Sequence, residues 1–252
     1  MRILYFADVR FPLERANGIQ TMETCYALAE RGHHVDLVVR PDTQSPARDP
    51  FEYYDRPRHA RLNIERAPMT SGSVPATARR IGYLAYAAGR GLGSGRADVV
   101  MTRDATVAWL LLHLPSRPPV VYESHGYGPD VAAALPSLLA TARPPNASKL
   151  ARLARREALI WSKADGYITI TAGLAAELTT RFGARDRLAV VPDGARIIPN
   201  VPPASGSDLV FQHLPPPDVE IQDQTPKAPK ATVAYAGHLY AWKGVDLSLI
   251  HI

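Results

Sequence analysis

The sequence predicts an α/β domain, a doubly wound parallel sheet of Rossmann-like type, and three observations predict it. Short unbroken apolar runs recur along the chain, as in strands buried on both faces. Segments of helical periodicity fall between those runs, which is the alternation that builds a parallel sheet. Hydrophobic residues make up 46% of the 252 positions, enough for a sizeable core.

The elements follow in order. Residues 3–7, Ile-Leu-Tyr-Phe-Ala, form the first strand, and a loop from Asp8 to Asn17 leads to a helix opening at Gly18. Ile19, Met22, Tyr26 and Ala29 recur at helical spacing, with Cys25 and Leu28 widening the same stripe. Gly32 is placed to end that helix in the left-handed conformation. Residues 35–39 give the second strand, completing a βαβ unit whose crossover is right-handed. A polar stretch over 41–60 precedes a third strand at 62–65. A helix over 76–90, a strand over 98–102, a helix over 107–114 and a strand over 119–123 continue the pattern. A basic amphipathic helix covers 148–163, and strands at 166–170 and 188–191 flank a helix at 172–182. The run Gly89–Gly95 imitates a dinucleotide loop, but Ser94 stands at the third glycine and a helix precedes it, so it reads as a turn.

The texture changes at Pro192. Pro199, Pro202, Pro203, Pro215, Pro216, Pro217, Pro226 and Pro229 mark 199–230 as a linker or irregular excursion. A new strand, 231–237, then opens what reads as a second domain. The expected division is therefore 1–198, a linker over 199–230, and the start of a second Rossmann-like domain over 231–252. Residues 247–252 read as a translated transposase adapter, so the natural chain is expected to continue past about Asp246.

Composition narrows the function. The net charge of +5 points to a partner carrying phosphate or to an anionic membrane surface. Nucleic acid is not expected, because the arginines are dispersed and lack interleaved stacking aromatics. The single cysteine, Cys25, excludes an internal disulfide and fits a reducing cytoplasm. No apolar run reaches the roughly 20 residues of a membrane span. His33-His34 has no partner at metal-ligand spacing, and no metal or cofactor is expected. Asn146-Ala147-Ser148 matches a glycosylation acceptor pattern that has no meaning without secretion. The basic helix (Lys149, Arg152, Arg155, Arg156, Lys163) is either a packed helix with a solvated face or a peripheral contact at the inner membrane face.

Three segments carry a family resemblance: Ala16-Asn17-Gly18-Ile19-Gln20, then Val120-Val121-Tyr122-Glu123-Ser124-His125-Gly126, then Tyr235-Ala236-Gly237-His238-Leu239-Tyr240-Ala241-Trp242-Lys243-Gly244. Ile168–Thr171 and Val190–Ala195 add two further strand ends. In this order they resemble glycosyltransferase family 4, whose members have the two-domain GT-B fold. The resemblance implies a retaining, hexosyltransferase-like enzyme. It would use a nucleotide-sugar donor and a sugar, lipid-linked or small-molecule acceptor, generally without metal.

Site residues follow from the resemblance and from strand-end position. His125 ends a central strand, where ligands gather in open α/β sheets, and the family places a histidine against the donor sugar. The competing reading is a histidine satisfied by loop backbone. Gly18 opens a helix whose amides can face an anion and whose missing side chain would admit a substrate; a plain tight turn is the alternative. Lys243 resembles the family lysine on the donor diphosphate, and His238 stands where the family often has arginine. Glu123 and Asp8 lie near the same rim without a motif-based role, and Arg103 with Asp104 reads as a rim ion pair. The family's paired glutamates would lie beyond the Gly237 segment, where this chain has none, so the 252-residue chain alone is expected to be inactive. Sugar-nucleotide epimerases and non-enzymatic nucleotide-fold binding domains remain open alternatives.

Overall fold

The computed structural model describes residues 1–68, 75–93, 97–138 and 142–194. By contacts the chain divides into a unit of Met1–Gly194 and a second of Ala195–Ile252. His238, Lys243 and the expected linker lie outside the described residues.

Among the described residues, seven strands and seven helices follow in order: β1 (Arg2–Arg10), α1 (Ala16–Glu30), β2 (His34–Arg40), α2 (Pro50–Tyr53), β3 (Leu62–Arg66), α3 (Ala76–Leu92) and β4 (Val99–Thr102). Then come α4 (Ala105–Leu111), β5 (Val120–Ser124), α5 (Gly128–Leu138), α6 (Ala147–Lys163), β6 (Gly166–Thr169), α7 (Ala172–Phe182) and β7 (Leu188–Val190). The strands form one sheet in the order β3-β2-β1-β4-β5-β6-β7, and every pairing is parallel. The doubly wound α/β fold is therefore as the sequence predicts.

Alternation along the strands sorts the core into two layers. Leu4, Phe6, Val38, Val100, Tyr122 and Tyr167 pack with Tyr83, Val107, Leu111, Ile160 and Leu178. Ile3, Tyr5, Leu37 and Val39 face the other way, against Met22, Cys25, Tyr26 and Ala29 of α1. Gly32 (φ +89°) terminates α1, as expected.

Several boundaries depart from the sequence reading. Helix α1 starts at Ala16, and Ile19 is 47% exposed, so it leaves the buried stripe that Gly18, Thr21 and Met22 help to form. Helix α4 starts at Ala105, not Val107, because the Asp104 carboxylate accepts the Thr106 and Val107 amides at 2.7 and 2.9 Å. Helix α3 runs on through Leu92, so Gly89 and Gly91 are helical instead of forming a turn; Leu111 packs against Gly91 there. Helices α2 and α5 are not in the sequence reading: α2 is one turn long, and α5 contains Pro136. Asn146 of the glycosylation-like pattern is the N-cap of α6, its side chain accepting the Lys149 amide at 2.8 Å. No helix among the described residues is long and apolar enough to cross a membrane.

Helix α6 buries Glu157 together with Ile160 and Trp161. The carboxylate accepts the Gly128 amide at the start of α5, and its second oxygen has no partner. Burial pushes its pKa up to about 7 from an ordinary 4.5, against the smaller opposing effects of the Gly128 amide and Arg156. The native state therefore keeps a proton that the unfolded chain has already lost, and stability falls as pH rises from about 4.5 to about 7. Glu157→Gln keeps the Gly128 bond and removes that penalty. Urea unfolding should show the variant more stable by as much as about 3 kcal/mol at pH 8, with the difference falling below about 1 kcal/mol near pH 5 and vanishing near pH 4. An equal difference at both ends of that range would refute this account.

Candidate active site at the carboxyl rim

The winding reverses between β1 and β4, which opens a crevice at the carboxyl ends of the strands. Strand β5 brings two candidate side chains there. Tyr122 packs into the layer shared with α4 and α6, so its neighbour Glu123 points to the opposite face, near Tyr5 and Cys25. Glu123 is only 6% exposed, and His125 follows one residue past the strand end.

Glu123 Oε1 lies 2.5 Å from His125 Nε2, and Arg103 approaches His125 Nδ1 at 3.2 Å. Because a guanidinium can only donate, Nδ1 is the acceptor and Nε2 carries the proton that Glu123 receives. Burial alone would raise the Glu123 pKa; the hydrogen bond from His125 and the positive charge of Arg103 oppose it and hold the pKa below its ordinary value. Glu123 is thus an anion at neutral pH that fixes the ring of His125.

The chain of contacts continues to α1. Arg103 donates to Gln20 Oε1 at 2.9 Å, and the Gln20 amide donates to Asp193 beyond β7. His125 and the first turns of α1 therefore lie on the same side of the sheet's rim, joined through Arg103. The expected ion pair between Arg103 and Asp104 does not form. Asp104 caps α4 and faces Arg80 at 3.7 Å, which leaves Arg103 to Gln20 and His125. Asp8 is also at the rim but on the opposite face of the sheet, with Arg40 at 2.9 Å and Arg80 at 3.0 Å. Two surface cavities, one lined by Arg48, Phe51 and Arg66 and the other by Trp161, Asp165 and Arg187, include none of these rim residues.

Gly18 sits in the first turn of α1, which has no side-chain cap and no acidic residue there. The space beside its Cα is already taken. A Cβ would lie 2.4 Å from Leu13 O and 2.7 Å from the Tyr54 hydroxyl. The reason for glycine is thus the loop folded onto the helix, not room for a substrate. Tyr54 fastens that loop, accepting the Leu13 amide at 2.7 Å and donating to Leu13 O at 2.8 Å. Burial pushes the phenol up to about 12, so it stays neutral and serves both roles.

Glu123, His125 and Asp193 place one ligand atom each within 4.8 Å of one another. The set suits a divalent cation poorly, because Glu123 already takes the Nε2 proton and the permanently charged Arg103 occupies Nδ1. Gln20 and Arg103 were not singled out in the sequence as site residues. The signal lay in position, since Gln20 closes the Ala16–Gln20 turn and Arg103 is the first residue after β4.

The parallel sheet and its flanking helices define a Rossmann-like α/β domain. The chain belongs to the glycosyl transferase 4-like domain family, whose model matches residues 18–194. Among solved structures it is similar to sucrose-phosphate synthase from Thermosynechococcus elongatus, at 16% identity and TM-score 0.51, covering 76% of this chain and 47% of that one. It is also similar to WaaG, a glycosyltransferase involved in lipopolysaccharide biosynthesis, at 18% identity and TM-score 0.48, covering 79% of this chain and 48% of that one. The chain spans about half the length of these two structures. A search of the curated proteins finds no match.

The packing around Gly18 gives a direct test. Gly18→Ala should cost about 1–3 kcal/mol of stability, since a backbone oxygen and the Tyr54 hydroxyl must move, and urea denaturation measures it. A variant as stable as the parent would show that the loop yields freely.

Proposed function

We propose that the whole protein transfers a sugar from a nucleotide-diphosphate-sugar donor to a hydroxyl of an acceptor, with retention, and that this chain supplies its acceptor side. The observation that carries the reading is His125, held at the carboxyl rim between Glu123 and Arg103 and linked through Arg103 to Gln20 of α1. Membership of the glycosyl transferase 4-like family supports sugar transfer. Retention and the nucleotide-sugar donor are the family's chemistry applied to this chain.

In this reading the Nε2 proton of His125 is exchanged from Glu123 to a donor-sugar hydroxyl, which fixes the sugar beside the attacking acceptor. Negative charge grows on the departing diphosphate as the glycosidic bond breaks, and fixed cations stabilise it best where water is excluded. Lys243 and His238 are proposed for that task, and the Ala16 and Asn17 amides at the uncapped start of α1 are proposed to face the same charge, the Gly18 amide itself being bonded to Arg15 O. Glu123 holds the imidazole until the sugar arrives, and Arg103 then keeps it in place through Nδ1 and adds permanent positive charge.

Because the chain spans about half the length of its structural neighbours, the 252-residue chain alone is expected to release no nucleotide from any sugar nucleotide. A longer form carrying the complete second domain, assayed with a panel of sugar nucleotides and acceptors, should show transfer. His125→Ala in that form should lower kcat by roughly 100-fold or more with the fold intact by circular dichroism. Unchanged turnover in the variant would remove His125 from the reaction. Epimerised sugar nucleotide without acceptor would replace transfer with the epimerase reading.

A further inference from the structure

Across the sheet from His125, the same rim carries a second group of charges. Thr106, in the first turn of α4, accepts hydrogen bonds from Arg80 at 3.0 Å and Arg156 at 2.9 Å on one hydroxyl oxygen. Both lone pairs of that oxygen are then engaged, so its proton is free to be donated. Two guanidiniums meet over a neutral atom, and Arg152, one turn along α6, adds a third positive charge felt by Arg156.

The negative charge nearby does not balance them. Asp8 pairs with Arg40 and Arg80. Asp104 gives one oxygen to the Thr106 and Val107 amides and turns the other toward Arg80. Four arginines (Arg40, Arg80, Arg152, Arg156) thus face two carboxylates. Glu157, next along α6, is turned beneath Gly128. Arg156 is half-buried, and among the described residues it has no carboxylate within ion-pair distance. Its guanidinium lies 5.9 Å from the Trp109 ring centroid, and Thr106 is its hydrogen-bond acceptor. Burial lowers its pKa from the ordinary arginine value, with Asp104 and Glu157 opposing and Arg80 and Arg152 adding to the shift. A fork held in place yet short of acceptors matches the geometry of a tetrahedral oxyanion.

We infer that Arg80, Arg152 and Arg156, together with the Thr106 hydroxyl, form a subsite for a phosphate group carried by the acceptor. The acceptor role rests on the transferase reading; phosphate binding does not.

The test is calorimetric titration of the purified chain with inorganic phosphate, at ionic strength held constant with chloride. Saturable binding is expected, weakened tenfold or more in Arg156→Gln and to a lesser degree in Arg152→Gln, whose exposed side chain leaves the fold untouched. Arg187→Gln, at the opposite end of the sheet, should bind as the parent does. No saturable binding, or equal affinity in Arg156→Gln, overturns the subsite. Vesicles of phosphatidate against phosphatidylcholine assign the source. Co-sedimentation with phosphatidate that Arg156→Gln abolishes supports the subsite as a lipid-headgroup site; phosphate binding without co-sedimentation supports it for a soluble phosphate. Phosphate binding without sugar transfer in the longer form would sink only the transferase reading, and transfer without phosphate binding only the subsite.

Discussion

Strand β1 pairs with β2 on one side and with β4 on the other, and the rest of the rim depends on that second pairing. It is pinned at both ends. The Arg2 amide donates to Asp98 at 2.7 Å where the strands begin, and the Thr102 hydroxyl donates to Phe6 O at 2.9 Å where they end. The buried register between them, Ile3 with Val99 through Phe6 with Thr102, sets how far β4 reaches. Arg103 therefore emerges level with the first turns of α1, within reach of Gln20. Asp104 and Thr106 turn to the other face. One strand end thus contributes to both charged groups of the rim.

Two buried carboxylates show how partners decide protonation at similar depth. Glu123 is matched by His125 and Arg103 and stays ionised despite its burial. Glu157 has one amide donor and an unpartnered oxygen, so burial dominates and its pKa rises to about 7. The first carboxylate orients a ring at the rim. The second lies under the start of α5, just after the segment that carries His125, and reduces stability as it ionises.

Much of the sheet was legible because its strands are continuous apolar runs, whose identity survives without knowledge of their neighbours. The ends were less so. Asp104 moved the start of α4 through a capping bond that periodicity does not register. The run containing Gly91 reads as a turn in the sequence, yet Gly91 is helical and Leu111 fills the space beside it. The short helix α2 is held by the Asp49 cap and tertiary contact, not by an amphipathic stripe. Of the site, His125 could be placed from its strand end. Arg103 could not be paired correctly, because its partners lie 83 and 22 residues away in sequence while Asp104 is adjacent.

The Tyr54 phenol grips Leu13 by both its amide and its carbonyl, and Leu13 in turn closes over Gly18. This couples the connection between β2 and β3 mechanically to the entrance of α1. Length or sequence drift in that outlying connection would be transmitted along the clasp as a tilt of the helix. Gln20 would shift with it, so a peripheral insertion could retune the crevice without altering any residue that lines it.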